Sequence, residues 1–285
     1  MTLIDGRSIS AKVKDEIKSD ASDLAAKGVK PALAVILVGE DAASKTYVAS
    51  KEKACAACGI RSVAHRLSSD VSEAALLELI ENLNEDESID GILVQLPLPK
   101  HIDTNKILEK ISPQKDVDGF SAINVGKLTS GLSDGFVPCT PLGVMRLLEE
   151  YGVQIAGKNA VVLGRSNIVG KPMASLLLNA DATVTIAHSK TKDLKQLCTD
   201  ADILVAAVGR THFVSADMVK EGAVVIDVGI NRGEDGKLRG DVDFDAVAPK
   251  CSLITPVPGG VGPMTIAMLL SNTIKSAKNR LKQRA

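Results

Sequence analysis

Tyr47 and Lys51 stand four residues apart in KTYVASKEKAC (45–55), a stretch of helical spacing, so they share one helix face. A lysine removed from water has its charged form disfavoured and can act as a base near neutral pH. A tyrosine beside it offers a flat ring to a planar heterocycle and a hydroxyl for hydrogen bonding. The same pair occurs on ordinary solvated helices, so the spacing by itself leaves catalysis open. Gln95 lies in VQLPLP (94–99), at an apolar strand end that Pro97 and Pro99 stop abruptly. A neutral amide there could hold a lysine amine without stabilising its charge as a carboxylate would. KDVDGF (115–120) puts Asp116 and Asp118 in a loop before Gly119. Such a carboxylate can accept two parallel N–H bonds from an aminopyrimidine edge. It can equally serve the turn, which Asp favours locally.

A second set of residues could hold a dinucleotide. In VVLGRSNIVGKPMASLLL (161–178) an apolar run stops at Gly164, and a helix begins near Gly170–Pro172. Glycine permits the tight turn, and the helix start directs unsatisfied N–H groups and a positive dipole end at it. Pro172 fits a first helical turn, where a missing N–H costs little. The pattern is not G-x-G-x-x-G, because Ser166 occupies the place of the second glycine. A strand merely turning into a helix would read the same way. The next strand ends ATVTIAHSK (182–190), with no carboxylate where an NAD-binding fold grips the ribose 2′-hydroxyl. His188, Ser189 and Lys190, with Arg165, would instead attract a 2′-phosphate, which favours NADP over NAD. AVG (207–209) and DVGIN (227–231) also end strands in glycine, and ligands of open α/β sheets lie beyond such strand ends. TPVPGGVGPMT (255–265) holds three prolines and three glycines in eleven residues. It predicts a stiff loop that could approach a ligand closely and offer it N–H groups.

These segments need a scaffold, and the apolar periodicity supplies one. An amphipathic helix ends at Gly28, ALAVILVG (32–39) is a buried strand, and a helix follows from Ala42 to Cys58. A strand over 60–67, a helix over 72–86, the strand GILVQLP (91–97) and a helix near 103–110 continue the alternation, before the irregular segment SPQKDVDGFSAINVGKL. A helix over 141–152 leads into a second βα series, with strands NAVVLG, ATVTIA, DILVAAVG, AVVIDVG and CSLIT, and a long helix closes the chain. The fold class is α/β with two lobes: residues 1–139 plus the closing helix 263–285, and a Rossmann-like parallel sheet over 140–262.

Composition narrows the classes of function. With 45% hydrophobic and 24% charged residues the chain can bury a substantial core, which argues against disorder. Aromatics are only 2%, so the core must be aliphatic and each tyrosine becomes notable. A net charge of −1 gives no general attraction to nucleic acid or an anionic membrane. The basic tail (Lys275, Lys278, Arg280, Lys282, Arg284) is what a helix C-terminus attracts. The start lacks the pattern of a signal peptide, and no apolar run is long enough for a bilayer. The five cysteines are odd in number and scattered, which predicts reduced thiols in a soluble cytoplasmic protein. Cys55 and Cys58 form a C-x-x-C that closes a helix and has no second pair, so no metal site is expected.

Taken together, VQLPLP, KDVDGF, PCTPLG, GRSNIVGKP, HSKT and TPVPGGVGPMT resemble the bifunctional methylenetetrahydrofolate dehydrogenase/cyclohydrolase family, in order and almost from end to end. That resemblance implies oxidation of 5,10-methylenetetrahydrofolate by NADP⁺ and hydrolysis of the 5,10-methenyl cation to 10-formyltetrahydrofolate, within the one-carbon metabolism that feeds purine biosynthesis. It implies that Lys51 is the catalytic lysine, Tyr47 the tyrosine at the folate ring, Gln95 the partner tuning the lysine, and Asp118 the pterin-binding carboxylate. Leu96, Pro258, Gly259 and Gly260 would border the folate, the last three in a loop closing over it. Gly164, Arg165, Ser166, Ser189 and Ile230 would hold the cofactor. A homodimer through the nucleotide lobe is also implied. The expected progress curve shows NADPH formed from methylenetetrahydrofolate and NADP⁺, with 10-formyltetrahydrofolate rather than the methenyl product accumulating, and NAD⁺ the poorer acceptor.

Overall fold

The computed structural model describes residues 1–233 and 235–284. Ala285, the last residue of the expected closing helix, and the side chain of Arg284 in the basic tail lie outside the described residues. The chain divides into two compact units: Lys12–Cys139 with Ile266–Ala285, and Met1–Ala11 with Thr140–Thr265. In chain order the elements are β1 (Thr2–Leu3), α1 (Gly6–Ala26), β2 (Ala32–Val38), α2 (Ala42–Ala57), β3 (Arg61–Leu67) and α3 (Glu73–Glu85). Then come β4 (Gly91–Val94), α4 (Thr104–Lys110), α5 (Ala122–Thr129), α6 (Cys139–Glu150), β5 (Asn159–Leu163) and α7 (Gly170–Asn179). The remainder are β6 (Thr183–Ala187), α8 (Leu194–Thr199), β7 (Ile203–Ala206), β8 (Val224–Asp227), β9 (Asn231–Arg232), β10 (Leu238–Arg239), α9 (Phe244–Val247), β11 (Leu253–Ile254) and α10 (Val261–Arg284).

The unit holding Lys51 is built on a parallel sheet in the order β3-β2-β4. All of β2 is buried, as a central strand covered on both faces must be, and its sequence is accordingly an unbroken aliphatic run. Ala32, Ala34, Ile36 and Val38 share one face with Ile92 and Val94, and pack with Leu76, Ile80, Leu83 and Ile107. Polar caps start the covering helices: Asp41 accepts from Ser44 N at 2.7 Å for α2, and Ser72 from Ala75 N at 3.2 Å for α3.

The other unit is a six-stranded, all-parallel sheet in the order β1-β11-β8-β7-β5-β6. Its strands are short aliphatic runs whose buried members, among them Val161, Leu163, Leu204, Ala206, Val225 and Ile254, form one core. Residues 1–11 belong here rather than with the segment that follows them. The cause is backbone pairing, with Thr2 N donating to Ser252 O at 2.7 Å and Ile4 N to Ile254 O at 2.8 Å. A two-residue strand carries almost no sequence signal, so β1 was outside the expected element order.

Two expectations change. The segment over 112–128 is not irregular throughout, because α5 forms within it. The helix contains Gly126 and leaves Ile123 and Val125 exposed, so apolar periodicity could not find it. It is held by buried Asn124, whose amide donates to Asp116 Oδ2 at 2.9 Å and Pro113 O at 3.0 Å, and accepts from Phe136 N at 3.1 Å. The strand expected over 91–97 ends at Val94, which frees the side chain of Gln95.

Within the first unit α10 is tied down by polar contacts. Ser276 Oγ donates to Gln114 O at 2.9 Å, and Arg280 donates to both carboxylate oxygens of Asp90 at 2.7 and 3.1 Å. The Asp90 side chain is fully buried and also accepts from Ala32 N at 2.9 Å. Removing one member of such a pair strands a charge away from water. Arg280→Met is therefore expected to lower unfolding stability by about 3 kcal/mol, with Asp90→Asn in the same chain restoring part of it, as measured by chemical denaturation.

Candidate functional site

α2 turns Val48 and Cys55 inward and leaves Tyr47 on its open side, 46% exposed. Lys51, one turn on, is half-buried. Its Nζ donates to Gln95 Oε1 at 3.0 Å. Gln95 is held from both ends, because its backbone N donates to Ile36 O at 2.9 Å and its Nε2 to Leu96 O at 2.7 Å. The amide nitrogen is thus already satisfied, and the amide oxygen is what faces the lysine. The Leu96–Pro97 peptide is cis.

The two aspartates of KDVDGF separate into different roles. Asp116 is buried and accepts from Phe120 N at 3.2 Å, Ser121 N at 2.8 Å and Asn124 Nδ2 at 2.9 Å. It shapes the loop. Gly119, at φ +70°, completes that shape, since a Cβ there would lie 2.7 Å from the Val137 carbonyl carbon. Asp118 keeps an open edge but receives a weak donor, Cys139 Sγ at 3.5 Å. Desolvation pushes its carboxyl up to about 6, the Lys51 ammonium pulls the other way, and Asp116 adds to the rise. Burial, with the neighbouring Asp118 charge, likewise holds the Cys139 thiol well above its ordinary range. Asn272 of α10 supports the arrangement from behind, donating to Val117 O at 2.8 Å and Val137 O at 3.0 Å. Sequence reasoning missed Cys139 and Asn272 as supports. PCTPLG was legible as a motif, but one Asn in a long helix carries no such signal. Cys55 and Cys58 are buried, and burial pushes the Cys55 thiol up to about 12, the opposite of a reactive pair.

In the other unit the β5–α7 turn is tightly built. Gly164 has φ +110°, and a Cβ there would lie 2.2 Å from Ala207 O. A Cβ at Gly170 would lie 2.2 Å from Gly164 O. Gly164 thus lets the turn lie against Ala207 after β7, Gly170 lets the helix start lie against the turn, and Ser166 stands in the place of the usual second glycine. The Ser166 hydroxyl accepts from Val169 N at 3.2 Å and Gly170 N at 3.3 Å, so it caps the helix start. Arg165, Ser189 and Lys190 are exposed at the carboxyl ends of β5 and β6. His188 is spent on the turn itself, its N donating to Thr191 Oγ1 at 2.9 Å and its Nδ1 accepting from Lys190 N at 3.1 Å. At the end of β7 a Cβ on Gly209 would meet nothing within 4 Å, and Ile230 past β8 is 50% exposed. Open backbone, an exposed apolar side chain, a hydroxyl and cations, with no carboxylate ending β6, fit a dinucleotide carrying a 2′-phosphate.

Two further carboxylates lie behind those strand ends. Asp227 accepts from Gly229 N, Asp241 N and Val242 N, each at 2.9 Å. Desolvation pushes it up to about 6 despite those bonds. Asp241 accepts from Val208 N at 2.6 Å and from Gly209 N, Arg210 N and Asn231 Nδ2 at 2.9 Å each. Neither was expected from sequence, where an Asp at or beside a glycine-marked strand end reads as a turn residue.

The loop expected over 255–265 ends at Gly260, because α10 begins at Val261. Gly260 N donates to Pro256 O at 2.9 Å, and Arg7 N donates to Gly259 O at 3.1 Å. A Cβ at Gly260 would lie 2.6 Å from Pro256 O. Gly259 and Gly260 are buried and Pro258 is exposed. The glycines serve backbone packing, and the N–H of Gly260 is already used within the loop.

Two domain models of one family match the chain in succession. The catalytic-domain model of tetrahydrofolate dehydrogenase/cyclohydrolase matches residues 4–118, and the NAD(P)-binding-domain model of the same family matches residues 138–281. The bifunctional protein FolD of Campylobacter hominis is 71% identical over 283 residues, covering 99% of each chain. The crystal structure of the bifunctional enzyme FolD from Campylobacter jejuni is 58% identical, with a TM-score of 0.97 over 98% of this chain and 99% of that one. The Trypanosoma brucei dehydrogenase-cyclohydrolase, solved with NADP cofactor and inhibitor, is 43% identical with a TM-score of 0.94 over 100% of this chain and 99% of that one. A lysine on a neutral amide and a turn suited to a phosphorylated dinucleotide are thus parts of one enzyme, and the chain belongs to the tetrahydrofolate dehydrogenase/cyclohydrolase family.

Proposed function

We propose that Lys51, Gln95, Tyr47 and Asp118 carry the folate chemistry of this chain, with the Lys51–Gln95 bond as the observation that supports it most directly. The activity itself is bifunctional: 5,10-methylenetetrahydrofolate is oxidised with NADP⁺ to the 5,10-methenyl cation, which is hydrolysed to 10-formyltetrahydrofolate. Bound NADP⁺ supplies the hydride acceptor. The nitrogen lone pairs of the folate drive hydride loss, so the chain's task in that step is to orient the donor. The ring of Tyr47 and the backbone at Leu96 border the planar substrate. Asp118, when ionised, accepts the two N–H bonds of the aminopyrimidine edge. In hydrolysis water bonds to the methenyl carbon, the carbon–N5 bond breaks, N5 takes a proton, and one proton leaves to solvent. Lys51 Nζ moves those protons. Gln95 holds it by one N–H while leaving its charge without a carboxylate counterpart in direct contact.

The same reading assigns catalysis to the unit of Lys12–Cys139 with the α10 residues, and cofactor binding to the unit built on β5. Gly164, Arg165, Ser166, Ser189 and Ile230 would hold NADP, with Lys190 beside the 2′-phosphate. Pro258, Gly259 and Gly260 remain folate-loop candidates, supported chiefly by the exposure of Pro258. A homodimer is supported by β6, an edge strand without charged residues that carries exposed Ile186 and follows exposed Leu178. Among the described residues no helix is long and apolar enough to cross a membrane, and a cytoplasmic location accords with five free cysteines.

Lys51→Met is expected to lower methenyl hydrolysis about a hundredfold or more, so that the methenyl product accumulates while NADPH still forms. Unimpaired hydrolysis in the folded variant would remove Lys51 from that role. The elevated Asp118 carboxyl sets a second expectation, because an acid with its value near 6 loses charge as pH falls through that point. KM for the folate should therefore rise below about pH 6, and Asp118→Asn should flatten the profile. In Lys51→Met the inflection should move upward, since the opposing ammonium is gone.

A further inference from the structure

The loop after β7 presents consecutive N–H groups at Val208, Gly209 and Arg210, with Gly209 at φ +67°. Successive N–H groups converging around a left-handed glycine form a nest that binds anions, phosphates among them. Here the nest is filled by the chain's own carboxylate, Asp241, which is fully buried. Asp241 also reaches Asn231, the neighbour of exposed Ile230, so one side chain joins the ledges after β7 and β8. The fit leaves no slack. A Cβ on Gly229 would lie 2.3 Å from Asp241 Oδ1, and a Cβ on Gly240 would lie 1.8 Å from Asp227 Oδ2. Asp227 in turn holds the backbone N of Asp241 at 2.9 Å.

We propose that Asp241 is a positioning residue for the dinucleotide: it occupies the anion nest after β7, sets the ledge of Val208–Arg210 and Asn231 against which the cofactor lies, and confines the cofactor's phosphates to the β5–α7 turn. This rests on the assignment of the cofactor to these strand ends. Asp241 itself touches neither substrate nor cofactor. Its carboxylate acts through the backbone it shapes, and its negative charge repels a phosphate that would otherwise compete for the nest.

The test is calorimetric titration of NADP⁺ into the full-length protein, with methenyl hydrolysis, which needs no dinucleotide, measured on the same samples. Asp241→Asn replaces one acceptor oxygen by an amide that faces N–H groups. It is expected to raise the NADP⁺ dissociation constant about tenfold while hydrolysis stays within about twofold. Asn231→Ala deletes a single donor and should give a smaller rise of about threefold. It decides the matter should Asp241→Asn fail to fold. Unchanged NADP⁺ affinity in the folded variants would overturn the proposal, as would a parallel loss of hydrolysis, which would make Asp241 a support of the whole chain. Lys190→Glu separates the underlying assignment. If it weakens NADP⁺ and the other two variants do not, Asp241 alone is misassigned. If none of the three weakens NADP⁺, the cofactor lies elsewhere.

Discussion

A carboxylate taken out of water is met by donors, is pushed towards its neutral form or, as at Asp227, undergoes both, and this constraint organises both halves of the molecule. Asp116 is met by two backbone N–H groups and an asparagine amide, and it becomes a turn. Asp241 is met by three backbone N–H groups and an asparagine, and it becomes a brace. Asp118 receives a thiol in place of such donors, with its value displaced to about 6. A ligand that brings its own N–H groups finds an acceptor there that the fold has not already satisfied.

The same principle in reverse governs Lys51. An ammonium held on an amide oxygen is oriented without being neutralised, and its charge lowers the pKa of the Asp118 carboxyl. The two groups are electrostatically linked although their hydrogen bonds go elsewhere. Changing the charge at Lys51 therefore alters the protonation of Asp118.

Glycine distribution reflects close approach more often than flexibility. Gly164 lets the first turn of the cofactor unit lie against Ala207 after β7, Gly170 lets the helix start lie against that turn, and Gly229 and Gly240 make room for two carboxylates. The second glycine of the familiar dinucleotide fingerprint is absent. Ser166 occupies that place and uses its hydroxyl to cap the helix instead.

The alternation of aliphatic strands and helices, the absence of a carboxylate ending β6, and the shared face of Tyr47 and Lys51 were all legible along the chain, because they depend on residues close in sequence. Nearest-neighbour chemistry also distinguished the inert C-x-x-C from a reactive one. Long-range pairing was not legible. Gln95, 44 residues from Lys51, was named as its partner through the family resemblance rather than by spacing, and the asparagine under the Asp118 loop, 155 residues from Val117, carried no signal at all. That residues 1–11 join the second unit rests on two short strands, and α5 rests on one buried asparagine. Which aspartate is structural and which is left open to a ligand depends on how many donors surround each one. Only the tertiary structure brings those donors together, so sequence determined the kinds of chemistry available and the fold decided which carboxylates are already satisfied.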